Sequence, residues 1–470
     1  MRHIPHGHNL RHGQDGEIEL ELSDLAYGGD AVGRYQGRAI FVTGGLPGEL
    51  VRARLTRERS NYARAALVEV LRPSVDRVLP RFPELGESGG FQWQHLSYPA
   101  QLYWKTHIVR QLLMRVGHFA SPNVLPALGM PAEADPWRYR TVAQFGIGAN
   151  GAIGFRRTGS HEIVDMPFCP LVHPALDELY QGVRGWIAAN WGATAGEYAE
   201  RFTLRSATGL PASQQESVRY GGSIGLLTLE ARPGSAFDSH RDLEGMGGDL
   251  MRAVPGLAGI AILGLPGGRG RLIIGRDFVY EQLMDRAFRV SAGSFFQVNR
   301  AQTPVLVQQA LAALDPQPED SALDGYSGVG LFSIFLSNRV AHVHAIESQP
   351  SAVADARESA AINGTLNISV SEGVLERTIG TLRQQNTRVD IALVDPPRAG
   401  CLPRALAEIK LLQPRVLVYV SCDPSTLARD LHLFCGDGYR LVRVQPVDMF
   451  PFTSHIECVA LCERVVGNPS

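Results

Sequence analysis

From about residue 286 onward the chain alternates short apolar runs with glycine- or proline-bearing loops and helix-like segments. No other feature limits its fold as much. SALDGYSGVGLFSIFLS reads as a strand, a glycine loop and a helix, and VHAIESQPSAVADARESAAING, VDIALVDPPRAG and VLVYVSCDPSTLARDL repeat the arrangement. Parallel strands need a long crossover, and a helix supplies it, so the pattern predicts a doubly wound, Rossmann-like α/β sheet. YRLVRVQPVDMFPFTSHIECVALCERV reads as two closing strands. In such sheets ligands bind beyond the carboxyl ends of the strands. The loops that follow the apolar runs are therefore where function is sought.

A chain of 470 residues is too long for one core. Residues 15–74 alternate β-type runs with glycine turns and predict an OB-like β-barrel. Between Val51 and Arg81 eight arginines face Glu58, Glu69 and Asp76, a local balance of +5. This suggests a basic edge suited to RNA, with a solvated strand face as the plainer alternative. Residues 75–285 read as an α+β middle domain. It carries a helix near 93–120, clearest over 98–117, which is expected to pack on the C-terminal domain, 286–470.

The formal net charge of −2 rules out a polycation, so any nucleic-acid surface is local. The six cysteines show neither a CxxC pair nor a regular disulfide spacing, no signal peptide is read at the start, and no apolar run approaches the roughly 20 residues of a membrane helix. These features point to a cytoplasmic protein with free thiols, acting as a monomer and away from membranes. The histidine-rich start, MRHIPHGHNLRHG, reads as a frayed tail and not as a metal site.

Asp324-Gly325-Tyr326-Ser327-Gly328-Val329-Gly330 lies between a strand and a helix. Gly328 and Gly330 let backbone approach a ligand. Glu347 ends the next strand, where a carboxylate can accept both hydroxyls of a ribose. Asp395 opens DPPR, which paired prolines stiffen. Loop, strand-end acid and DPPR together favour an S-adenosylmethionine site. Cys422 ends a further strand, with Asp423 as N-cap and Pro424 as first helical residue. A helix amino end favours thiolate there and Asp423 opposes it; the plainer reading of Cys422 is a buried small hydrophobe. Glu457 on a late strand supplies a base. A nucleophilic thiol, a base and a methyl donor suggest addition to carbon 6 of a pyrimidine, methylation of carbon 5 and removal of its proton.

SFFQVN (294–299), the D-x-x-x-G-x-G loop, DPPRAG, YVSCDP-x-TLARDL and DMFPFTSHIE occur in that order. In these motifs the chain resembles RNA uridine-5-methyltransferases with an N-terminal TRAM domain, of the 23S ribosomal RNA type. The resemblance implies a TRAM barrel, a class I methyltransferase domain, Cys422 as nucleophile and Glu457 as proton acceptor. It places Gln297, Tyr326, Glu347 and Asp395 on S-adenosylmethionine. It also implies an RNA partner, ribosomal RNA first and transfer RNA second, with a uridine flipped from its stack. Three departures accompany it. Asp423 stands where the family has Asn, and Val374 stands where many relatives carry an acid near the adenine. The family's iron–sulfur run, C-x5-C-x2-C, falls on Phe82, Ser88 and Phe91, leaving Cys169 alone. One thiolate cannot hold a four-ligand cluster, so no iron–sulfur cluster and no metal are expected, with the two phenylalanines filling the space. Cys401 is read as a packing residue.

Cytosine-5 methyltransferases also use a strand-end cysteine, but place another in the Pro-rich loop, here Pro396-Pro397-Arg398. An amine methyltransferase would need neither Cys422 nor Glu457. An inactive RNA-binding protein would have no use for both of them beside a complete cofactor loop.

Overall fold

The structure is a computed structural model that describes residues 16–209, 224–233, 240–265, 271–436 and 438–465. The histidine-rich start lies outside the described residues. Five strands, β1 (Glu17–Leu25), β2 (Ala31–Tyr35), β3 (Arg38–Thr43), β4 (Leu50–Glu58) and β5 (Tyr62–Arg72), close into a barrel in the order β1-β2-β3-β5-β4. Period-2 alternation turns Ile18, Leu20, Leu22, Ile40, Val42, Val51, Ala53, Ala63 and Ala65 inward, where they are buried.

The same alternation corrects the charge argument. β1 pairs antiparallel with β4, setting Glu17 opposite Arg54 and Glu19 opposite Arg52. Ion pairs join Arg54 to Glu17, Arg52 to Glu19 and Glu69, Arg72 to Glu21, and Arg64 to Asp30. Much of the apparent +5 is thus answered by Glu17, Glu19 and Glu21 of β1 and by Asp30 in the turn before β2, all outside the window that was counted. Arg77 pairs with Glu49, also outside that window, and Arg57, Arg59 and Arg81 stand outside all these pairs.

Helix α1 (Tyr98–Arg115) leaves the barrel. Its Ile108, Val109 and Leu113 share one core with residues of the C-terminal sheet and helices, while His107 meets Asp24 of β1 at 3.1 Å. The middle sheet has the order β12-β11-β10-β9-β6-β7-β8. Its strands are β6 (Val142–Ile147), β7 (Ile153–Arg156), β8 (Ile163–Asp165), β9 (Ala199–Ala207), β10 (Ile224–Ala231), β11 (Leu257–Leu263) and β12 (Arg271–Gly275). Helices α2 (Pro174–Asn190), α3 (Ala195–Tyr198) and α4 (His240–Ala253) accompany it. The expected division at 285/286 falls inside a β-hairpin, β13 (Phe278–Leu283) and β14 (Arg286–Ser291). One strand ties to the middle domain, with Gln282 N–H donating to Thr208 Oγ1 at 2.7 Å. The other ties to the next domain, with Arg289 N–H donating to Ser359 Oγ at 3.0 Å. The first parallel strand begins only at Ser321.

After α5 (Thr303–Leu314) come β15 (Ser321–Gly325), α6 (Leu331–Ser337), β16 (His342–Glu347), α7 (Pro350–Ile362), β17 (Ile368–Glu372), α8 (Leu375–Gln384), β18 (Ile391–Val394), α9 (Pro403–Leu412), β19 (Val416–Ser421), α10 (Pro424–Phe434), β20 (Tyr439–Val447) and β21 (Glu457–Arg464). The sheet order is β17-β16-β15-β18-β19-β21-β20. β18 and β19 are buried along their whole length because helices cover both faces. The strand order reverses beside β15, which places the ligand crevice at the carboxyl ends of β15, β16, β18 and β19.

The run expected to replace an iron–sulfur site is an aromatic cluster. Phe82 packs edge-on against Trp137 at 5.2 Å and Phe168 at 5.7 Å, and Phe91 is fully buried. Ser88 Oγ donates to the Leu85 carbonyl at 2.7 Å. Burial pushes the Cys169 thiol up to about 11. Among the described residues no group of three or more His, Cys, Asp or Glu is placed to hold a metal ion. No helix among them is long and apolar enough to cross a membrane.

Candidate active site

Four strand ends and one strand start meet at the crevice. After β15 the chain turns with Tyr326 at φ +61° and Gly328 at φ +55°, left-handed backbone that glycine adopts without strain. A Cβ on Gly328 would meet nothing within 4 Å, so that face of the loop is open. Gly328 N–H donates to Glu347 Oε2 at 3.0 Å, and Ser348 and Gln349 N–H donate to Glu347 Oε1 at 2.7 Å each. The strand-end carboxylate is thereby locked between the glycine loop and the start of α7. Gln297 is buried on the SFFQVN segment. Tyr326 turns its hydroxyl toward Cys401. Cys401 is itself buried, and its N–H donates to Asp430 Oδ2 at 2.8 Å. That thiol packs in a hydrogen-bonded network.

The loop also holds polar atoms without partners. Asp324 is fully buried; its Oδ2 accepts from Ser333 Oγ at 2.5 Å, but Oδ1 and the nearby Ser327 Oγ have no partner among the described residues. Burial holds the Asp324 carboxyl up to about 7, and burial together with the charge of Asp324 does the same to Asp395. Two proton-holding carboxyls and two unmatched polar atoms suit a polar, cationic ligand; by this test the site fits S-adenosylmethionine. Asp324 stood in the quoted loop without a role of its own. Its place in D-x-x-x-G-x-G was the signal.

Cys422 follows β19 and is half-buried. Asp423 caps α10, its Oδ1 accepting from Ser425 N–H at 2.9 Å and Thr426 N–H at 3.1 Å. Antiparallel pairing sets Ser421 opposite Cys458, which brings Glu457 beside Cys422. Glu457 is buried. Burial, then the charge of Asp395, raises its carboxyl well above the usual range, while Arg398 opposes them. Burial and the charges of Glu457 and Asp395 push the Cys422 thiol up to about 12. The resting thiol is protonated, so the helix amino end does not win at this position. Arg398, read from sequence only as a replaced aromatic, is the cation whose charge reaches Cys422, Glu457 and Tyr27 together.

The family model described as tRNA (Uracil-5-)-methyltransferase matches residues 258–465, and that of the TRAM domain matches residues 14–68. An uncharacterised RNA methyltransferase of Halalkalibacterium halodurans is 34% identical over 95% of this chain and 96% of its own length. The chain belongs to the family of RNA (uracil-5-)-methyltransferases. A relative in Caldanaerobacter subterraneus, also an uncharacterised RNA methyltransferase, is 34% identical over 96% of this chain and 98% of its own. The Pyrococcus abyssi tRNA (uracil-54, C5)-methyltransferase, solved with S-adenosyl-L-homocysteine, superposes with a TM-score of 0.69 at 25% identity. That match covers 94% of this chain and 99% of that one. This RNA (uracil-5-)-methyltransferase is accordingly an enzyme of S-adenosylmethionine-dependent methyl transfer, joined to a TRAM barrel.

Proposed function

We propose that the protein methylates carbon 5 of a uridine in RNA with Cys422 as nucleophile and Glu457 as the base. The pairing of Ser421 with Cys458, which makes Cys422 and Glu457 neighbours across β19 and β21, supports this reading. The Cys422 sulfur bonds to carbon 6 of the uracil, its proton passing to a neighbouring carboxylate other than Glu457, and the ring's electron pair is thrown onto carbon 5. S-adenosylmethionine, when bound, supplies the electrophilic methyl that carbon 5 takes. Glu457 then accepts the carbon 5 proton, the 5,6 double bond re-forms, and the sulfur–carbon bond breaks to free Cys422. Gln297, Tyr326, Gly328, Gly330, Glu347, Asp324 and Asp395 would hold the methyl donor, with Asp324 and Asp395 answering its positive charge.

Ribosomal RNA is the target class we put first, with the barrel gripping flanking nucleotides. Transfer RNA is the second reading, favoured by the Pyrococcus abyssi neighbour's substrate. A covalent trap tests reaction and target together. The protein and S-adenosylmethionine are incubated with total RNA carrying 5-fluorouridine, and adducts are mapped by mass spectrometry. Fluorine cannot leave as a proton, so RNA stays bonded to Cys422 and its sequence names the target. An adduct at Cys401, or none at all, overturns the assignment.

The carboxyls make cofactor affinity pH-dependent. Asp324 and Asp395 hold protons up to about 7, and a bound cation favours their ionised forms. Binding below that pH must release protons, so affinity rises with pH and levels off above about 7. The slope reaches about tenfold per pH unit for each proton released. Calorimetric titration of S-adenosylmethionine in buffers of different ionisation enthalpy reads both slope and proton count. A flat profile without proton release contradicts it.

A further inference from the structure

The barrel reaches into the catalytic crevice. Its β1–β2 turn, residues 26–30, is closed by Ala26 N–H donating to the Asp30 carbonyl at 2.9 Å and Gly29 N–H to the Ala26 carbonyl at 3.0 Å. From this turn the Tyr27 hydroxyl donates to Asp423 Oδ2 at 2.8 Å, next to Cys422 and across 396 residues of sequence. The turn also touches the segment that leads into Glu457. Trp93 Nε1 donates to the Gly29 carbonyl at 3.3 Å, and the Trp93 N–H donates to the Phe452 carbonyl at 2.9 Å. Gly29, at φ +99°, lies so close that a Cβ there would meet Trp93 Nε1 at 3.0 Å and Ser454 Cβ at 3.2 Å. One turn of the barrel therefore abuts both chain segments that carry the reacting side chains.

The contact has electrostatic content. The groups facing the Cys422 thiol are Glu457 on β21, Asp395 and Arg398 on the loop after β18, and Asp423 at the head of α10. His455, nearby, is kept neutral by burial. Three of these are acids, and each disfavours thiolate when ionised, with Asp395 and Glu457 held toward their protonated forms by burial. Asp423 spends Oδ1 on the backbone of α10. Its other oxygen is answered by the Tyr27 hydroxyl, whose proton burial and the charge of Asp423 hold well above the usual phenol range. A neutral donor fixed on that oxygen draws the negative charge away from the sulfur and keeps the carboxylate turned from it.

We propose that the barrel's β1–β2 turn is a working part of the catalytic centre, with Tyr27 a positioning residue that tunes Cys422 through Asp423. This rests on the reading of Cys422 as nucleophile, and it gives the Asp found at 423 a partner that charge alone would demand. The barrel that holds RNA then also sets the charge beside the sulfur that attacks it.

The test is the pH profile of Cys422 alkylation by iodoacetamide in the full chain, followed by peptide mass spectrometry, for wild type, Tyr27→Phe, Asp423→Asn and the double variant. Tyr27→Phe is expected to move the profile up by about one pH unit, or about tenfold slower alkylation at a fixed pH below the midpoint. Asp423→Asn, which keeps the helix cap, is expected to move it down, and the double variant to match Asp423→Asn. A Tyr27→Phe profile that overlies wild type overturns the proposal, as does an upward shift that persists undiminished when Tyr27→Phe is added to Asp423→Asn. Trapping on 5-fluorouridine RNA is expected to slow in Tyr27→Phe with RNA affinity unchanged. Weakened RNA affinity with an unmoved profile would make Tyr27 an RNA contact and overturn it too. Because alkylation needs no RNA, failure of the wild type to trap uridine would sink the proposed reaction while leaving the Tyr27 result readable.

Discussion

Glu457→Gln is expected to turn a turnover enzyme into one that stays bonded to its RNA. The amide cannot take the carbon 5 proton, so sulfur addition and methyl transfer proceed while release of Cys422 stalls. Multiple turnover falls by about 10²–10⁴-fold, and a denaturation-resistant protein–RNA species carrying labelled methyl accumulates. Cys422→Ser accumulates none. The position supports so sharp an outcome because Glu457 is buried at the start of β21, one residue before Cys458, which pairs with Ser421 at the end of β19 just ahead of Cys422. The same burial, with the charge of Asp395, holds the carboxyl above its usual range. As the proposed base it must be ionised, so the wild-type rate is expected to rise with pH through the range in which it loses its proton. Electrophoresis under denaturing conditions after single-turnover labelling reads the species directly. Free methylated RNA from Glu457→Gln, at wild-type rate and without adduct, would assign proton removal to another group.

Lys105→Met is expected to give the largest loss of stability of any single change named here. Lys105 and Lys410 are the only lysines in the chain, and Lys105 is fully buried. Its Nζ donates to Asp448 Oδ1 at 2.6 Å and to the Phe450 carbonyl at 3.0 Å. Asp448 is fully buried as well, and its Oδ2 has no partner. Burial lowers the Lys105 pKa and the charge of Asp448 opposes that. Removing the ammonium strands a buried carboxylate, a change that costs about 3–5 kcal/mol. Replacing both residues, as in Lys105→Met with Asp448→Leu, removes the stranded charge and recovers most of that loss. Thermal and urea unfolding of the single and double variants beside wild type measures it. The pair joins α1 to the segment 448–456 that runs into Glu457, so Lys105→Met also lowers trapping on 5-fluorouridine RNA. A single variant as stable as wild type would mean that the buried pair contributes little to stability.

An aromatic cluster occupies the region where the resemblance had implied an iron–sulfur run. Phe82, Trp137 and Phe168 line one cavity with Cys169, Phe91 stacks on Trp137, and Trp137 stacks on Phe452 at 3.8 Å. Phe452 belongs to the same segment that Lys105 anchors from the other side. Aromatic burial thereby braces the approach to Glu457 from the middle domain.

Local patterns carried the strand ends. The glycine loop, Glu347, Asp395 and Cys422 each sit where an apolar run stops and a helix begins, and short-range alternation with capping chemistry fixes such junctions within a few residues. The N-cap at Asp423 and the parallel sheet follow from the same local rules. Three features needed residues distant in sequence to meet. The arginines of β4 and β5 looked free because their partners, Glu17, Glu19, Glu21 and Asp30, lie on or beside strands outside the window, and cross-strand pairing is set by register. The hairpin at 278–291 serves two domains, one strand each, so no change in composition marks the junction. The thiol of Cys422 was poised between a helix amino end and an acid when read locally. Folding adds Glu457, Asp395, Arg398 and, from the barrel, Tyr27 to that balance. Period and capping act over a turn or a strand, whereas desolvation and charge act through space, and that difference separates the parts of this protein readable along its chain from those that exist only once it has closed.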